Sequence, residues 1–178
     1  AVLNGSSDGL IVTGICEQNG ASTRWSRHPV SPFEIVQIEG SDGWSLRLSR
    51  RVVDHIRAEA KAYNHAETGG VMIGLASARL RTVTVVDLLD APPDSKRSAE
   101  LFVLGTQGLQ GAIEARHLAS GQTLFDVGTW HSHLADVGAS QIDWRTASEL
   151  AAERAPPSVL LIVTPKRFFA LMAPRKEG

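Results

Sequence analysis

The apolar positions along this chain change period several times, and each change marks an element. From Ser49, a residue suited to cap a helix, Val52, Val53, Ile56, Ala60 and Tyr63 recur at spacings of three and four, which predicts a helix over 49–64. Residues 69–75, Gly-Gly-Val-Met-Ile-Gly-Leu, read as a glycine-rich strand whose paired glycines mark close backbone approach or a bulge. The β-branched run 81–89 is its best partner strand. Upstream, 10–16 alternates as a strand does, and 17–32, rich in Gly, Ser, Asn, Arg and Pro, reads as a loop. Residues 33–38 and 44–48 read as two short strands joined across Gly40-Ser41-Asp42-Gly43.

Downstream, prolines make 91–100 a loop with a basic tip at Lys96 and Arg97, and loops of this kind often carry binding function. A short strand at 101–104 precedes a helix over 106–120 with Leu109, Ala112, Ile113 and Arg116 on one side, ended by Gly121. Residues 124–130 are apolar and β-prone, and a helix over 140–154 is stopped by Pro156-Pro157. Residues 158–164 are almost wholly apolar, as in a strand covered on both faces, and 167–173 form a last strand. Helices alternating with strands and hairpins predict an α/β (α+β) protein, a mixed β-sheet flanked by helices. Residues 44–178 form the main domain, and 1–43 read as an N-terminal extension of it.

Composition narrows the classes. At 178 residues with a net charge of −1, the chain buries a substantial core and offers no net field for nucleic acid or an anionic membrane. Its longest apolar run, Val159 to Val163, is far too short to cross a bilayer, and residues 1–20 lack a basic start followed by a continuous apolar segment. The expectation is a soluble, cytoplasmic protein. Cys16 is the only cysteine, which excludes an internal disulfide and a cysteine-based zinc cluster; it reads as a small buried hydrophobe.

The chemistry concentrates in 129–143, Thr-Trp-His-Ser-His-Leu-Ala-Asp-Val-Gly-Ala-Ser-Gln-Ile-Asp. Strand side chains alternate faces, so His131 and His133 point the same way, while Trp130 and Ser132 face the other side as core and structural residues. Ser140 at a helix N-cap with Asp143 in the first turn brings that carboxylate back over the strand end. Two histidines and a carboxylate are an established zinc ligand set that leaves a fourth position for water. Either half alone is bland, a polar loop or a capping box. On adjacent element ends the two together point to a metal. Asp136 competes as the third ligand. His55 and His65 have no partner at ligand spacing and read as ordinary polar positions, and His117 reads as exposed on its helix.

With Glu67 in Glu-Thr-Gly-Gly-x-x-x-Gly, followed by His131-Ser132-His133 and Ser140-x-x-Asp143, the sequence resembles the JAB1/MPN/Mov34 metalloenzymes, or JAMM proteases, and more particularly their prokaryotic branch. The resemblance covers 44–173, including the Pro-Pro-Asp-Ser-x-Arg loop, and implies an MPN, cytidine-deaminase-like architecture. It also implies one Zn2+ per chain held by His131, His133 and Asp143 in preference to Asp136, with Glu67 as general base and Ser140 donating to an oxyanion. One departure is present: the family usually has seven residues between the second His and the Ser, often beginning with Pro, whereas 134–139 supplies six and no Pro.

The implied function is a zinc-dependent isopeptidase or peptidase that cleaves after the C-terminal tail of a ubiquitin-like or sulfur-carrier protein. The tail would lie near Lys96 and Arg97, and activating or conjugating enzymes are the expected associates. A catalytically silent MPN scaffold is the alternative, and every chemical group of the motif being in place weighs against it. A RadC-like, DNA-associated protein is a third class, disfavoured by the near-neutral charge.

Overall fold

The computed structural model describes residues 10–16, 23–29, 33–153 and 157–173. The chain divides into two compact units, Ala1–Phe33 and Glu34–Gly178. In the first, β1 (Leu10–Cys16) pairs antiparallel with β2 (Thr23–Pro29), Leu10 opposite Pro29 and Cys16 opposite Thr23. The second of these strands lies inside the stretch that its composition marks as loop. Arg24, Ser26, Arg27 and His28 break the apolar alternation of a strand, and the hairpin ladder with β1 is a pairing that composition does not carry.

The second unit runs β3 (Glu34–Glu39), β4 (Ser45–Leu48), α1 (Arg50–Ala62), β5 (Gly69–Ser77), β6 (Thr82–Asp90), β7 (Lys96–Arg97), β8 (Phe102–Val103), α2 (Leu109–Ala119), β9 (Phe125–Ser132), α3 (Gln141–Glu153), β10 (Val159–Val163) and β11 (Phe168–Leu171). Seven strands close into a barrel in the order β10-β11-β3-β4-β6-β5-β9, and β9 returns to β10. The pairs β9–β10, β3–β11 and β4–β6 are parallel and the others antiparallel, so the sheet is mixed, with helices packed against it, as the sequence pattern predicts. Its closure into a barrel goes beyond that pattern.

β10 divides the core. Val159, Leu161 and Val163 enter the cluster of Leu46, Leu48, Val52, Ile56, Met72 and Trp130, while Leu160 and Ile162 alternate into the cluster of Ala147, Leu150 and Leu171 beneath α3. Gly128 on β9 has φ +137, and a Cβ there would meet the backbone of Val159, so glycine lets β9 close against β10 and carry His131 and His133 on its end.

The helices are held with unequal strength. In α1, Ser49 caps Val52 N, and Val52 and Ile56 are fully buried, worth about 3–6 kcal/mol together. α2 buries none of its residues and is tied to β6 by Arg116–Asp87 at 2.8 Å, an exposed pair worth about 1 kcal/mol or less. It also starts later than the apolar spacing predicts. Asp94 takes the amides of Thr106 and Gln107 at 2.9 and 3.1 Å, and Gly108 turns left-handed at φ +73 before the first helical residue. His117, expected to be exposed on its helix, is instead half-buried: Nδ1 pairs with the Leu124 carbonyl at 2.9 Å and the ring packs on Phe125. His55 pairs with Asp90 at 2.9 Å.

Candidate metal centre

His131 is the last but one residue of β9 and His133 follows that strand's end, so alternation puts both rings on one side. Ser140 and Asp143 form a reciprocal capping box at the start of α3: Asp143 N donates to Ser140 Oγ at 3.2 Å, and Ser140 N donates to Asp143 Oδ2 at 2.6 Å. The cap fixes the carboxylate over the strand end. Asp143 Oδ1 lies 3.0 Å from His131 Nε2, Oδ2 lies 3.6 Å from His133 Nε2, and the two Nε2 atoms are 3.1 Å apart.

These spacings are compatible with a metal site: a tetrahedral zinc's donors stand about 3.3 Å apart, and the two Nε2 atoms and one carboxylate oxygen of Asp143 lie within 4.8 Å of one another, although Asp143 faces the two histidines through different oxygens. His133 Nδ1 meets the Val137 carbonyl at 3.2 Å; an N–H donated there leaves Nε2 as a lone pair for metal. The accepting carbonyl comes from the six-residue connection, at whose two ends the three groups converge. Asp136 is engaged elsewhere, accepting from Thr164 Oγ1 at 2.7 Å and from Arg167 Nε at 3.3 Å. Among the described residues, His131, His133 and Asp143 are the group whose ligand atoms converge.

The electrostatics suit a cation. Burial pushes the Asp143 carboxyl up, but hydrogen bonds from His131, His133 and Ser140 outweigh it and hold the group well below the usual carboxylate range. The hydrogen bond to Asp143 raises the His133 imidazole against the opposing effect of burial.

Glu67 stands just before β5 and is 8% exposed. Burial, the largest influence, pushes its carboxyl up, partly offset by the attraction of His131 and His133. Two lacings hold it beside the histidines. Thr68 N donates to Ser132 Oγ at 3.0 Å while Ser132 N donates to the Thr68 carbonyl at 2.7 Å, and Glu67 N donates to the Ser98 carbonyl at 2.7 Å. Ser132, read from alternation as structural, is the residue that joins the two halves of the motif across 64 positions. Replacing it with alanine strands the buried Thr68 amide; Ser132→Ala is expected to lower unfolding free energy by about 1–3 kcal/mol in urea titrations. Zinc content should stay unchanged, because neither ligand ring bonds to that hydroxyl.

Arg97 also serves this corner. Its Nε donates to Thr68 Oγ1 at 3.2 Å, and its guanidinium lies over the rings of Tyr63 and Phe102, 4.6 and 5.8 Å from their centroids. Lys96 is exposed on β7, and neither residue lines the groove at the centre. The Arg97 contacts were invisible in sequence because they depend on β7, inside the proline loop, pairing with β8 just beyond it. That groove, about 570 Å³, contains Glu67, both histidines, Ser140 and Asp143. Its rim carries Leu101, Val103, Val137 and Ile142, all exposed.

The fold, the donor trio and the buried acid beside it define a class, and comparison with known families agrees: the chain belongs to the prokaryotic homologs of the JAB domain, whose family model matches residues 49–172. Among curated proteins, the chain is similar to a CD-NTase/cGAS isopeptidase of Enterobacter hormaechei subsp. hoffmannii (strain UCI 50), 28% identical over 110 residues. The match covers 61% of this chain and 59% of that relative's length. Among solved structures, protein DSY2949 from Desulfitobacterium hafniense is similar over 72% of this chain and 94% of its own, with TM-score 0.49 and 16% identity.

Proposed function

We propose that this domain is a zinc-dependent isopeptidase or peptidase that cleaves after the C-terminal tail of a ubiquitin-like or sulfur-carrier protein, in the cytoplasm and alongside activating or conjugating enzymes. The observation that carries it is the convergence of His131, His133 and Asp143 in a groove that also holds the buried acid Glu67. Membership in the JAB family supports hydrolase chemistry, and the relative named as an isopeptidase supports an amide bond as the target. The exposed apolar rim supports an extended peptide as ligand, since an accessible row of Leu, Val and Ile side chains around a polar centre suits a tail with apolar residues before a small-residue end. No helix among the described residues is long and apolar enough to cross a membrane.

When bound, zinc supplies Lewis acidity, polarising the scissile carbonyl and bringing the pKa of water to about 7. The chain's own residues do the rest. Glu67, buried and raised, accepts the proton of the attacking water on a carboxylate oxygen and delivers it to the leaving amine nitrogen. Ser140 Oγ accepts from the Asp143 amide, which leaves its own O–H to donate to the tetrahedral oxyanion. The capping bond thereby orients the hydroxyl.

The test uses purified protein reconstituted with zinc and a panel of ubiquitin-like and sulfur-carrier fusions. About one zinc per chain is expected, with at least one fusion cut after its tail and the cut abolished by chelation. Zinc bound stoichiometrically with every tail left intact would sink the peptidase assignment, and no zinc bound would sink the metal centre.

A further inference from the structure

A second cavity, about 280 Å³, lies on the α1 side of the metal centre and shares His133 and Leu134 with the groove. Its charged lining residues besides His133 are Arg57 and Lys61, accompanied by Asn64 and Thr164; no carboxylate lines it. The groove is the reverse. Glu67, Glu100, Asp143 and Glu149 line it, with no lysine or arginine. The sign of the lining charge therefore changes across His133.

Arg57 and Lys61 are spaced four apart on α1, so they share a helix face. Like charges at that spacing oppose helix formation, and the fold does not relieve them: among the described residues no carboxylate is within ion-pair distance of either. Asp54, on the same helix, pairs with Arg50, and Asp136 is bound to Thr164 and Arg167. Lys61 in the last turn does gain from the helix dipole, but Arg57, a turn earlier, gains less. The Arg57 guanidinium rests 4.9 Å from the centroid of the Phe168 ring. Two exposed cations with no carboxylate partner stand in a concavity that opens beside His133, where they can pair with an anion brought to it.

We propose that this cavity is a subsite for a carboxylate side chain of the substrate, on the side of the scissile bond away from the apolar groove and within a few residues of it. The assignment rests on the peptidase function proposed above. A substrate threaded past the centre would then carry apolar residues on one side and an Asp or Glu on the other, and the charge reversal at His133 would fix its direction.

The experiment separates binding from turnover. Fluorescein-labelled peptides of sequence Leu-Val-Gly-Gly-Ala-Xaa-Ala, with Glu, Gln or Lys at Xaa, and a second series with Xaa one residue earlier, are titrated by anisotropy into the zinc-loaded Glu67→Gln protein. The Glu peptide of one series is expected to bind about fivefold more tightly than its Gln partner, the upper range for an exposed ion pair, and the advantage should shrink with added salt. Lys61→Ala should erase the preference and Lys61→Glu should transfer it to the Lys peptide. Equal binding of Glu, Gln and Lys peptides in both series, absence of binding by any of them, or a preference untouched by Lys61→Glu would each overturn the subsite. Failure of the peptidase function would look different: a charge preference that follows residue 61 in Glu67→Gln, with no peptide or fusion cleaved by the wild-type protein.

Discussion

Glu67→Gln is expected to reduce kcat/KM by about 10²–10⁴-fold while zinc stays bound, the range attributed to a positioned proton carrier. The substitution preserves size and hydrogen bonding but cannot take up a proton. Glu67 lies outside the trio whose ligand atoms converge, so metal content measured on the variant should match the wild type. Loss of zinc would mean that Glu67 is a ligand; activity within about threefold of wild type would mean that another group moves the proton. A second readout follows from burial. Because folding raises the Glu67 carboxyl, the native state binds more protons than the unfolded chain between the ordinary glutamate value and the raised one, so this group's contribution to stability falls as pH rises through that window. Above that window the wild-type protein holds an acid ionised in a site that disfavours it. Metal-free Glu67→Gln should therefore unfold at higher urea than metal-free wild type at pH 7, with the advantage disappearing toward pH 4. An enzyme that loses turnover and gains stability from the same change has a side chain kept for chemistry.

The convergence of His131, His133 and Asp143 was legible in the sequence because each part depends on local geometry. Strand alternation sets the two histidines, and a capping box sets Asp143, so the convergence needed only that β9 and α3 be neighbours in the chain. The same locality made the flanking elements readable: the Ser49 cap, the period of α1, and the β10 run buried on both faces. Part of what escaped was long-range. The barrel closes through β3–β11 and β4–β6, parallel pairs between segments separated by tens of residues, and pairing of that kind leaves no mark on either strand alone. Thr23–Pro29 and β7 were hidden for another reason: each pairs with a strand near it in the chain, but its own composition reads as loop. Arg97 shows the consequence at the site. As the basic tip of a loop it suggested ligand binding, whereas pairing of β7 with β8 and the nearby rings of Tyr63 and Phe102 turn its guanidinium toward Thr68, next to the general base proposed here.

Asp143→Asn should lower zinc affinity by more than about 100-fold, because loss of a partner one shell further out already costs 10–100-fold and this carboxylate belongs to the donor set itself. Competition with a chelator of known affinity measures it, and retention of zinc within about tenfold of wild type would shift the third ligand elsewhere. The variant also tests whether the donors are organised before metal arrives. In the zinc-free protein the carboxylate accepts from Ser140 N and faces both imidazoles, and those bonds hold it below the usual range while raising His133. A depressed carboxylate stabilises the fold above its unfolded pKa and ceases to as pH falls through its native value; a raised histidine stabilises below its unfolded pKa and ceases to as pH climbs past its native value. Both conditions hold together from roughly pH 4 to somewhat above 6.5. The chelator-treated variant should accordingly be less stable than chelator-treated wild type by about 1.5–3 kcal/mol near pH 5.5, the range for a hydrogen bond to a charged group, and by less at pH 9. A gap that stays constant from pH 5.5 to 9 would mean that His133 and Asp143 do not pair in the apo protein. In that case zinc itself would have to assemble the site, and its binding would be slow and coupled to movement of the start of α3, instead of fast onto a rigid cap.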